Sequence, residues 1–430
     1  MHTKDSYINC MKAMNSLKKF GIKFGLSTIA GILKSLNNPQ DGFSCIHVAG
    51  TNGKGSIASA LSLILQLSGY KVGLYTSPHL VSFNERIRIN NIPVSDKKVI
   101  EAYKAVNKVI PKNLETTFFE LTTAMALYEF SRQKVDWAVI ETGMGGRLDA
   151  TNIIKPVISI ISNISVEHKK YLGSTISQIA SEKGGIIKKS VPVIAGVKQK
   201  KATSVLKKMA AKQSAPFYRL GNEFRIRRNK DKSFSYFGIN TVWRNMRTGL
   251  LGNHQIDNAA IVLAACEILN QNKAANLFFQ NIKHGLAQNK WPGRLEIVSS
   301  SPLIILDGAH NLIATRYLAK FLSENLAKRK ITLVTGILDD KPYAAMLACL
   351  LPLCNKAILT RPKIDRALSP ERLFHAAKKI IQDIEIIPDV GKAIKYAIKT
   401  ASLNDAICIA GSLYLVGEAK EALDLSALIK

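Results

Sequence analysis

The sequence predicts an α/β protein of two domains, and three observations carry that expectation. Short apolar, β-branched segments recur along the chain, helical segments separate them, and a turn-rich stretch near residue 290 divides them into two series. The first series is FSCIHVAG, VGLYTS, WAVIETG, VISIISNIS and VPVIAGV. These are apolar on both faces, as strands in the middle of a parallel sheet must be. Between them lie IASALSLILQLS and ISQIASEKGGIIKK, suited to helices covering such a sheet. NKWPGRLE then carries turn residues and reads as a linker. A second series follows in PLIILDGAHN, KITLVTGIL, KAILTR and AICIAGSLY, enough for a smaller, Rossmann-like α/β unit. The expected domains are therefore 1–290 and 291–430. One stretch departs from the pattern: FRIRRNKDKSFSYF, Phe224–Phe237, reads as a hairpin with an exposed basic face.

The chain has 430 residues, 47% of them hydrophobic, which supports two separate cores. No apolar run approaches the roughly 18 residues a bilayer span needs. The opening MHTKDSYINCMKAMN lacks the charged and apolar regions of a signal peptide. Six cysteines are scattered without metal or disulfide spacing, as expected of reduced thiols. A cytoplasmic monomer with no membrane partner is expected. The net charge of +29 is dispersed in pairs rather than gathered in one block, so it reads first as solvated surface.

The chemistry concentrates where strands end. In HVAGTNGKGS, an apolar strand runs into Gly50, Thr51, Asn52, Gly53, Lys54, Gly55 and Ser56, and a helix follows near Ser56. Small residues let backbone N–H groups face a phosphate, and the helix adds its positive end. Lys54 would reach the terminal phosphates, and the Ser56 hydroxyl would bind Mg²⁺. The usual G-x-x-x-x-G-K-[ST] spacing is not met literally, since Gly55 stands between lysine and serine. Glu141 in WAVIETGMGGRLDATN also ends a strand, at the edge where open α/β sheets bind ligands, and a carboxylate there can hold a phosphate-bridging metal ion. Ser77 and His79 in YTSPHL, and His168 in SVEHKK, end strands too. Asp307 and His310 do so in the second series, where two such rims facing each other would enclose a nucleotide. Lys183 reads, from pattern alone, as an ordinary helix-face lysine.

These stretches resemble the folylpolyglutamate synthase and dihydrofolate synthase family, a branch of the Mur ligase superfamily. The resemblance is carried in order by HVAGTNGKGS, SPHLVSFNERI, FFELTTAMA, ETGMGGRLDATN, EHKKYLGSTISQIASEKGGI, LGNHQIDNAA, WPGRLE, DGAHN and GSLYLVG. GTNGKGS speaks for the superfamily, whereas SPHL and GGRLDATN are specific to the folate branch. The resemblance implies a Mur-ligase-like ATP-binding domain followed by a glutamate ligase domain. It implies ATP-dependent addition of L-glutamate to 7,8-dihydropteroate, to the γ-carboxylate of reduced folates, or to both, through an acyl phosphate. It further implies Ser56, Ser77, Glu141 and His168 as ligands of two Mg²⁺ sites. Lys183 matches a lysine carried as an N6-carboxylated side chain. Asn258, Arg294, Asp307 and His310 match positions that contact ATP, with Lys54, Lys183 and His310 carrying catalysis. Thr122 and Asp149 fall in segments resembling the pterin pocket.

The chain departs from the family pattern in three places. Glu167 stands where an aspartate commonly precedes the metal histidine, Gly25 to Ile29 lack a charged pair, and Pro342 replaces a frequent acidic residue. The phosphate loop begins at Gly50, leaving no room before it for the UDP-sugar-binding domain of ~100 residues expected in peptidoglycan ligases. Two rivals follow from the same residues. One is a ligase of this superfamily acting on another carboxylate. The other is a phosphate-loop protein that binds nucleic acid through its positive charge. The latter has no use for strand-end metal ligands, and no N-K-x-D guanine-reading motif is present, so nucleic acid is not an expected partner.

Overall fold

The structure is a computed structural model, and it describes residues 3–21, 23, 25–111 and 114–424. It divides into two compact units. The first comprises 1–79, 83–249 and 256–289, and the second 80–82, 250–255 and 290–430.

The first unit is built on an eight-stranded sheet. Its strands are β1 (Ser44–Ala49), β2 (Val72–Tyr75), β3 (Ile87–Ile89), β4 (Ile92–Pro93), β5 (Trp137–Glu141), β6 (Ile158–Ile161), β7 (Val193–Ala195) and β8 (Phe217–Arg219). Their order across the sheet is β4-β3-β2-β5-β1-β6-β7-β8. From β2 to β8 every pairing is parallel, while β3 and β4 form an antiparallel edge. All five strands expected from the first apolar series lie together at its centre. They are buried on both faces, which is why their sequences do not alternate. Register decides where chemistry can occur. Val48 lies opposite Glu141, Ala49 opposite Ile161, and Tyr75 opposite Ile140. The loops leaving β1, β2, β5 and β6 therefore emerge side by side at the carboxyl edge.

Local signals fix the helices on this sheet. The helix Phe118–Arg132 starts in a reciprocal capping box between Thr117 and Glu120, and Ile176–Gly184 in one between Thr175 and Gln178. The predicted hairpin is present as β9 (Arg225–Arg228) and β10 (Phe234–Phe237), with Arg228 opposite Phe234. Arg225, Arg227 and Arg228 are exposed, whereas Phe234 and Tyr236 are buried. A third strand, β11 (Val242–Met246), completes this small antiparallel sheet beside β10.

The second unit carries a six-stranded sheet, with β12 (Glu296–Ser300), β13 (Leu303–Asp307), β14 (Ile331–Thr335), β15 (Lys356–Leu359), β16 (Ile384–Ile386) and β17 (Ala406–Ala410). The order is β12-β13-β17-β14-β15-β16, parallel except for β12. Asp307 and Thr335 both lie opposite Ala410, so DGAHN leaves the sheet at its carboxyl edge. Among the described residues no helix is long and apolar enough to cross a membrane.

Candidate active site

The turn after β1 is shaped by its glycines. Gly53 sits at φ +84 as the N-cap of the helix Lys54–Leu67, a backbone conformation that disfavours a side chain. A Cβ at Gly53 would also stand 2.6 Å from Oδ1 of Asn258. Asn258 is 7% exposed and thus forms the wall against which the turn closes. The helix begins two residues earlier than its sequence suggests, which makes the unpaired N–H groups of its first turn those of Lys54, Gly55 and Ser56. The loop N–H groups of Thr51 and Asn52 are not free for a phosphate. They donate to the carbonyl and the side-chain oxygen of Asn163, at 2.9 and 3.0 Å. The first part of Gly50–Ser56 is thus braced by Asn163 and Ser162, and the N–H groups left to face a phosphate are those at the helix start.

Around that helix start stand four predicted residues. Nζ of Lys54 lies 3.8 Å from Oε1 of Glu141, with both side chains largely buried. The other Glu141 oxygen accepts from the backbone N–H of Ser77 at 3.2 Å. Ser56 is 3% exposed, and its hydroxyl is buried without a hydrogen-bond partner. A buried hydroxyl costs free energy unless something engages it. With the carboxylate of Glu141 and the Ser77 segment on adjacent strands, this set fits a divalent cation, whose preferred ligands are oxygens. His168 stands differently. It is exposed, it adopts φ +51, and its Nε2 lies 3.7 Å from Glu167. Among the described residues no three histidine, cysteine or acidic side chains gather as a metal cluster.

Lys183 is not the helix-face lysine its pattern suggests. It is 4% exposed, and its Nζ donates to the carbonyl of Gly50 at 2.7 Å. Burial first, and then the neighbouring Lys54 charge, bring its pKa down to about 7 against the opposing charges of Glu167 and Asp149. The amine therefore sits at the phosphate loop with a neutral fraction at physiological pH.

Thr122 and Asp149 are placed as structural members. Thr122 is fully buried; its hydroxyl bonds Tyr75 at 3.1 Å and donates to the Phe119 carbonyl at 3.2 Å. Asp149 accepts from the Thr151 hydroxyl at 2.5 Å, the Thr151 N–H at 3.1 Å and the Met144 N–H at 2.8 Å. Burial raises its pKa, and these donors oppose the rise. Asp149 thus ties the glycine-rich loop shut. Sequence reasoning overlooked the residue that completes this lock, His47. It is fully buried, burial lowers its pKa to about 3, and its Nε2 lies 2.9 Å from the Thr151 hydroxyl. Because the one hydroxyl proton of Thr151 goes to the Asp149 carboxylate, the imidazole must donate through Nε2. Its position inside an otherwise apolar strand was the available signal.

In the second unit, Arg294, Asp307 and His310 assemble beside one another. Asp307 accepts from the N–H groups of Leu295 and Ala309, both at 2.9 Å. Burial raises its pKa, while the Arg294 charge and these bonds oppose the rise. Nη1 of Arg294 lies so close to Gly308 that a Cβ there would stand 2.4 Å away. His310 Nδ1 donates to the Gly308 carbonyl at 2.8 Å, which orients the ring.

The whole chain has relatives of known class. Residues 48–266 match the Mur ligase middle domain, and 293–413 the Mur ligase glutamate ligase domain. A dihydrofolate synthase/folylpolyglutamate synthase of Bacillus subtilis is 35% identical over 418 residues, covering 94% of this chain and 96% of that protein. A folylpolyglutamate synthase of Lacticaseibacillus casei is 36% identical over 409 residues, covering 92% and 93%. A structure of the E. coli FolC protein in complex with DHPP and ADP superposes with a TM-score of 0.89 at 28% identity, covering 96% and 97%. A bifunctional folylpolyglutamate synthase/dihydrofolate synthase of Yersinia pestis, complexed with AMPPNP and Mn ion, gives a TM-score of 0.87 at 28% identity, covering 97% and 98%.

Proposed function

This chain belongs to the folylpolyglutamate synthase/dihydrofolate synthase family of Mur ligases, and from that premise we propose how its residues carry the reaction. The protein is an ATP-dependent ligase that joins L-glutamate to a folate-type carboxylic acid, and it uses ATP with a divalent metal ion. The observation that carries the site reading is the buried, unpartnered Ser56 hydroxyl at the head of the phosphate-loop helix, beside the Lys54–Glu141 pair.

A carboxylate is a poor acylating agent because its leaving group would be oxide. Transfer of the γ-phosphoryl group makes it an acyl phosphate. The free amino group of L-glutamate then adds to the carbonyl carbon, and the tetrahedral intermediate collapses to amide and phosphate. Several anions must meet, so the protein's contribution is to position them and neutralise their charge. The N–H groups of Lys54, Gly55 and Ser56 and the Lys54 ammonium bind the terminal phosphates. Ser56, Ser77 and Glu141 hold the metal ion, and His168 joins a second site. The metal ion, when bound, withdraws charge from the phosphates. Asn258 in the first unit and Arg294 and Asp307 in the second are proposed as ATP contacts, and His310 as a catalytic residue. Asp149 and Thr122 support the acceptor pocket through the loop and helix they hold.

Lys183 is proposed to carry a carbamate. Its neutral amine attacks CO₂, the N–C bond forms, and a proton leaves to solvent, giving an anion beside Lys54. Isotope-labelled bicarbonate should give a carbamate resonance that the Lys183→Arg variant lacks; the same spectrum from both proteins would remove the assignment. The protein is further proposed to act in the cytoplasm as a monomer. Dihydropteroate and tetrahydrofolate, offered in parallel with ATP and L-glutamate, test the reaction by product mass. ADP release with neither acceptor nor glutamate present would overturn the folate reading.

A further inference from the structure

We propose that His47 is a positioning residue for the acceptor pocket: through the Thr151 hydroxyl it holds Asp149, and with it the loop 143–147, in the shape that receives the pterin end of the acceptor. The proposal rests on the folate reading above and adds to it a residue that touches no reactant.

Placement is the first argument. His47 lies in β1 opposite Ile140 of β5 and Ser159 of β6, three residues before Gly50. It is fully buried, so it acts only through its neighbours. Cys45, Ile46, Val48 and Ala49 beside it in the strand are apolar and buried too. An imidazole in that company gives up its hydration, a cost that an aliphatic side chain would not meet. Among the described residues its Nδ1 has no hydrogen-bond partner, and its Nε2 lies 2.9 Å from the Thr151 hydroxyl. What the imidazole contributes is therefore that one donated bond.

Connection is the second argument. The Thr151 hydroxyl passes the bond on to Oδ1 of Asp149 at 2.5 Å, and a donor on one side with an acceptor on the other fixes its orientation. Oδ2 of Asp149 accepts from the Met144 N–H at 2.8 Å. Asn152, next in the same turn, donates to the carbonyls of Arg147 at 3.0 Å and Gly185 at 3.1 Å. The turn thus grips the loop near both ends. The loop has little room to adjust: a Cβ at Gly143 would stand 2.5 Å from the Phe119 ring, and one at Gly146 2.8 Å from the carbonyls of Glu182 and Lys183. A rotation of Asp149 therefore moves backbone lying between the helix of Thr122 and the helix of Lys183.

Selectivity is the third argument. The phosphate loop is braced separately, by Asn163 and Ser162, so loss of the His47 bond leaves it standing. Burial, and then the Lys188 charge, lower the His47 pKa to about 3, so the donor is unchanged across the neutral range. A side chain without a donor at that point leaves the Thr151 oxygen unsatisfied and its hydroxyl able to turn from Asp149.

The test is steady-state ADP release by the whole protein, with dihydropteroate and with tetrahydrofolate as acceptors. The variants are His47→Leu, which removes the donor; His47→Gln, whose amide nitrogen reaches the place of Nε2; Thr151→Val; and the double variant His47→Leu with Thr151→Val. His47→Leu should raise the acceptor KM about tenfold and Thr151→Val at least as much, with kcat and the KM for ATP within about twofold. His47→Gln should stay within about threefold of the native acceptor KM, since it keeps the donor. The double variant should be no worse than Thr151→Val, because both changes break one relay. An unchanged acceptor KM, a rise shared by the KM for ATP, no recovery with glutamine, or additive losses overturns the proposal. Nitrogen-15 histidine spectra of the native protein should show His47 protonated on Nε2 and bare on Nδ1; the reverse also overturns it. Thr151→Val and that spectrum decide the matter if His47→Leu does not fold. Native protein whose ADP release saturates with neither acceptor would instead overturn the folate reading itself.

Discussion

Lys183 concentrates the physics of the site in one amine. Its folded pKa is about 7, against an ordinary value of 10.5, chiefly because burial disfavours the charge. Below about pH 7 both the folded and the unfolded chain hold the proton, and the folded state bears the full cost of a buried ammonium. Between about 7 and 10.5 the unfolded chain keeps a proton that the folded chain releases. Stability from this group therefore rises with pH across that window. The urea midpoint of the native chain, minus that of Lys183→Met, should grow from pH 7 to pH 9.5. A flat difference would put the amine in water. The subtraction matters because relief of general positive repulsion raises both midpoints alike. Lys54 has a different role, since its charge is directed at phosphates. Lys54→Met should lower kcat by roughly a hundredfold or more through lost stabilisation of the transferring group. Steady-state ADP release measures it, and unchanged turnover would detach Lys54 from the chemistry.

At the scale of elements, the small antiparallel sheet shows what tertiary contacts add to local pattern. Glu267, on the helix Asn253–Gln271, is 1% exposed and accepts from the Tyr236 hydroxyl at 2.8 Å and from the N–H groups of Ile239 and Asn240 at 3.1 and 2.6 Å. It pins the end of β10 to the helix. Tyr236→Phe removes one donor from a buried carboxylate and should cost about 1–3 kcal/mol of stability, read by denaturant unfolding. The parallel strands were legible because burial on both faces leaves an uninterrupted apolar run. β11 was not, since VWRNM places only Met246 among buried residues and its polar face resembles a loop. At the site, the glycine-rich turn and the strand-end Glu141 were legible from residue type and position. The bracing of Thr51 and Asn52 by Asn163, the burial of Lys183 and the His47–Thr151–Asp149 lock were not. Each joins residues more than a hundred positions apart, or depends on which helix face turns inward, and one sequence encodes neither directly.

For the whole molecule the commanding quantity is the charge of +29, from 60 basic and 31 acidic residues. The acids are largely engaged locally. Asp257 pairs with Lys198 at 2.7 Å and Arg228 at 2.8 Å, and Asp231 with Arg247 at 2.8 Å. Cations in excess of these pairs repel one another at long range, and that repulsion opposes the compact state more than the expanded one. Salt screens it with a Debye length of about 30 Å at 0.01 M and about 8 Å at 0.15 M. The melting temperature should therefore rise between those concentrations, and sodium chloride and sodium perchlorate should act similarly at equal low ionic strength, because screening depends on charge rather than ion type. A fall in melting temperature would mean that the ion pairs outweigh the repulsion. The same charge should favour loose association with polyanions at low salt. If it is only a surface property, RNA binding should vanish by about 0.2 M salt, with log affinity linear in log salt and no preference among sequences. Catalysis should follow neither curve closely, because it needs a few cations at fixed places rather than the sum: ADP release, measured across the range in which RNA dissociates, should persist after RNA has gone, and activity that tracks RNA occupancy would make the charge part of the function.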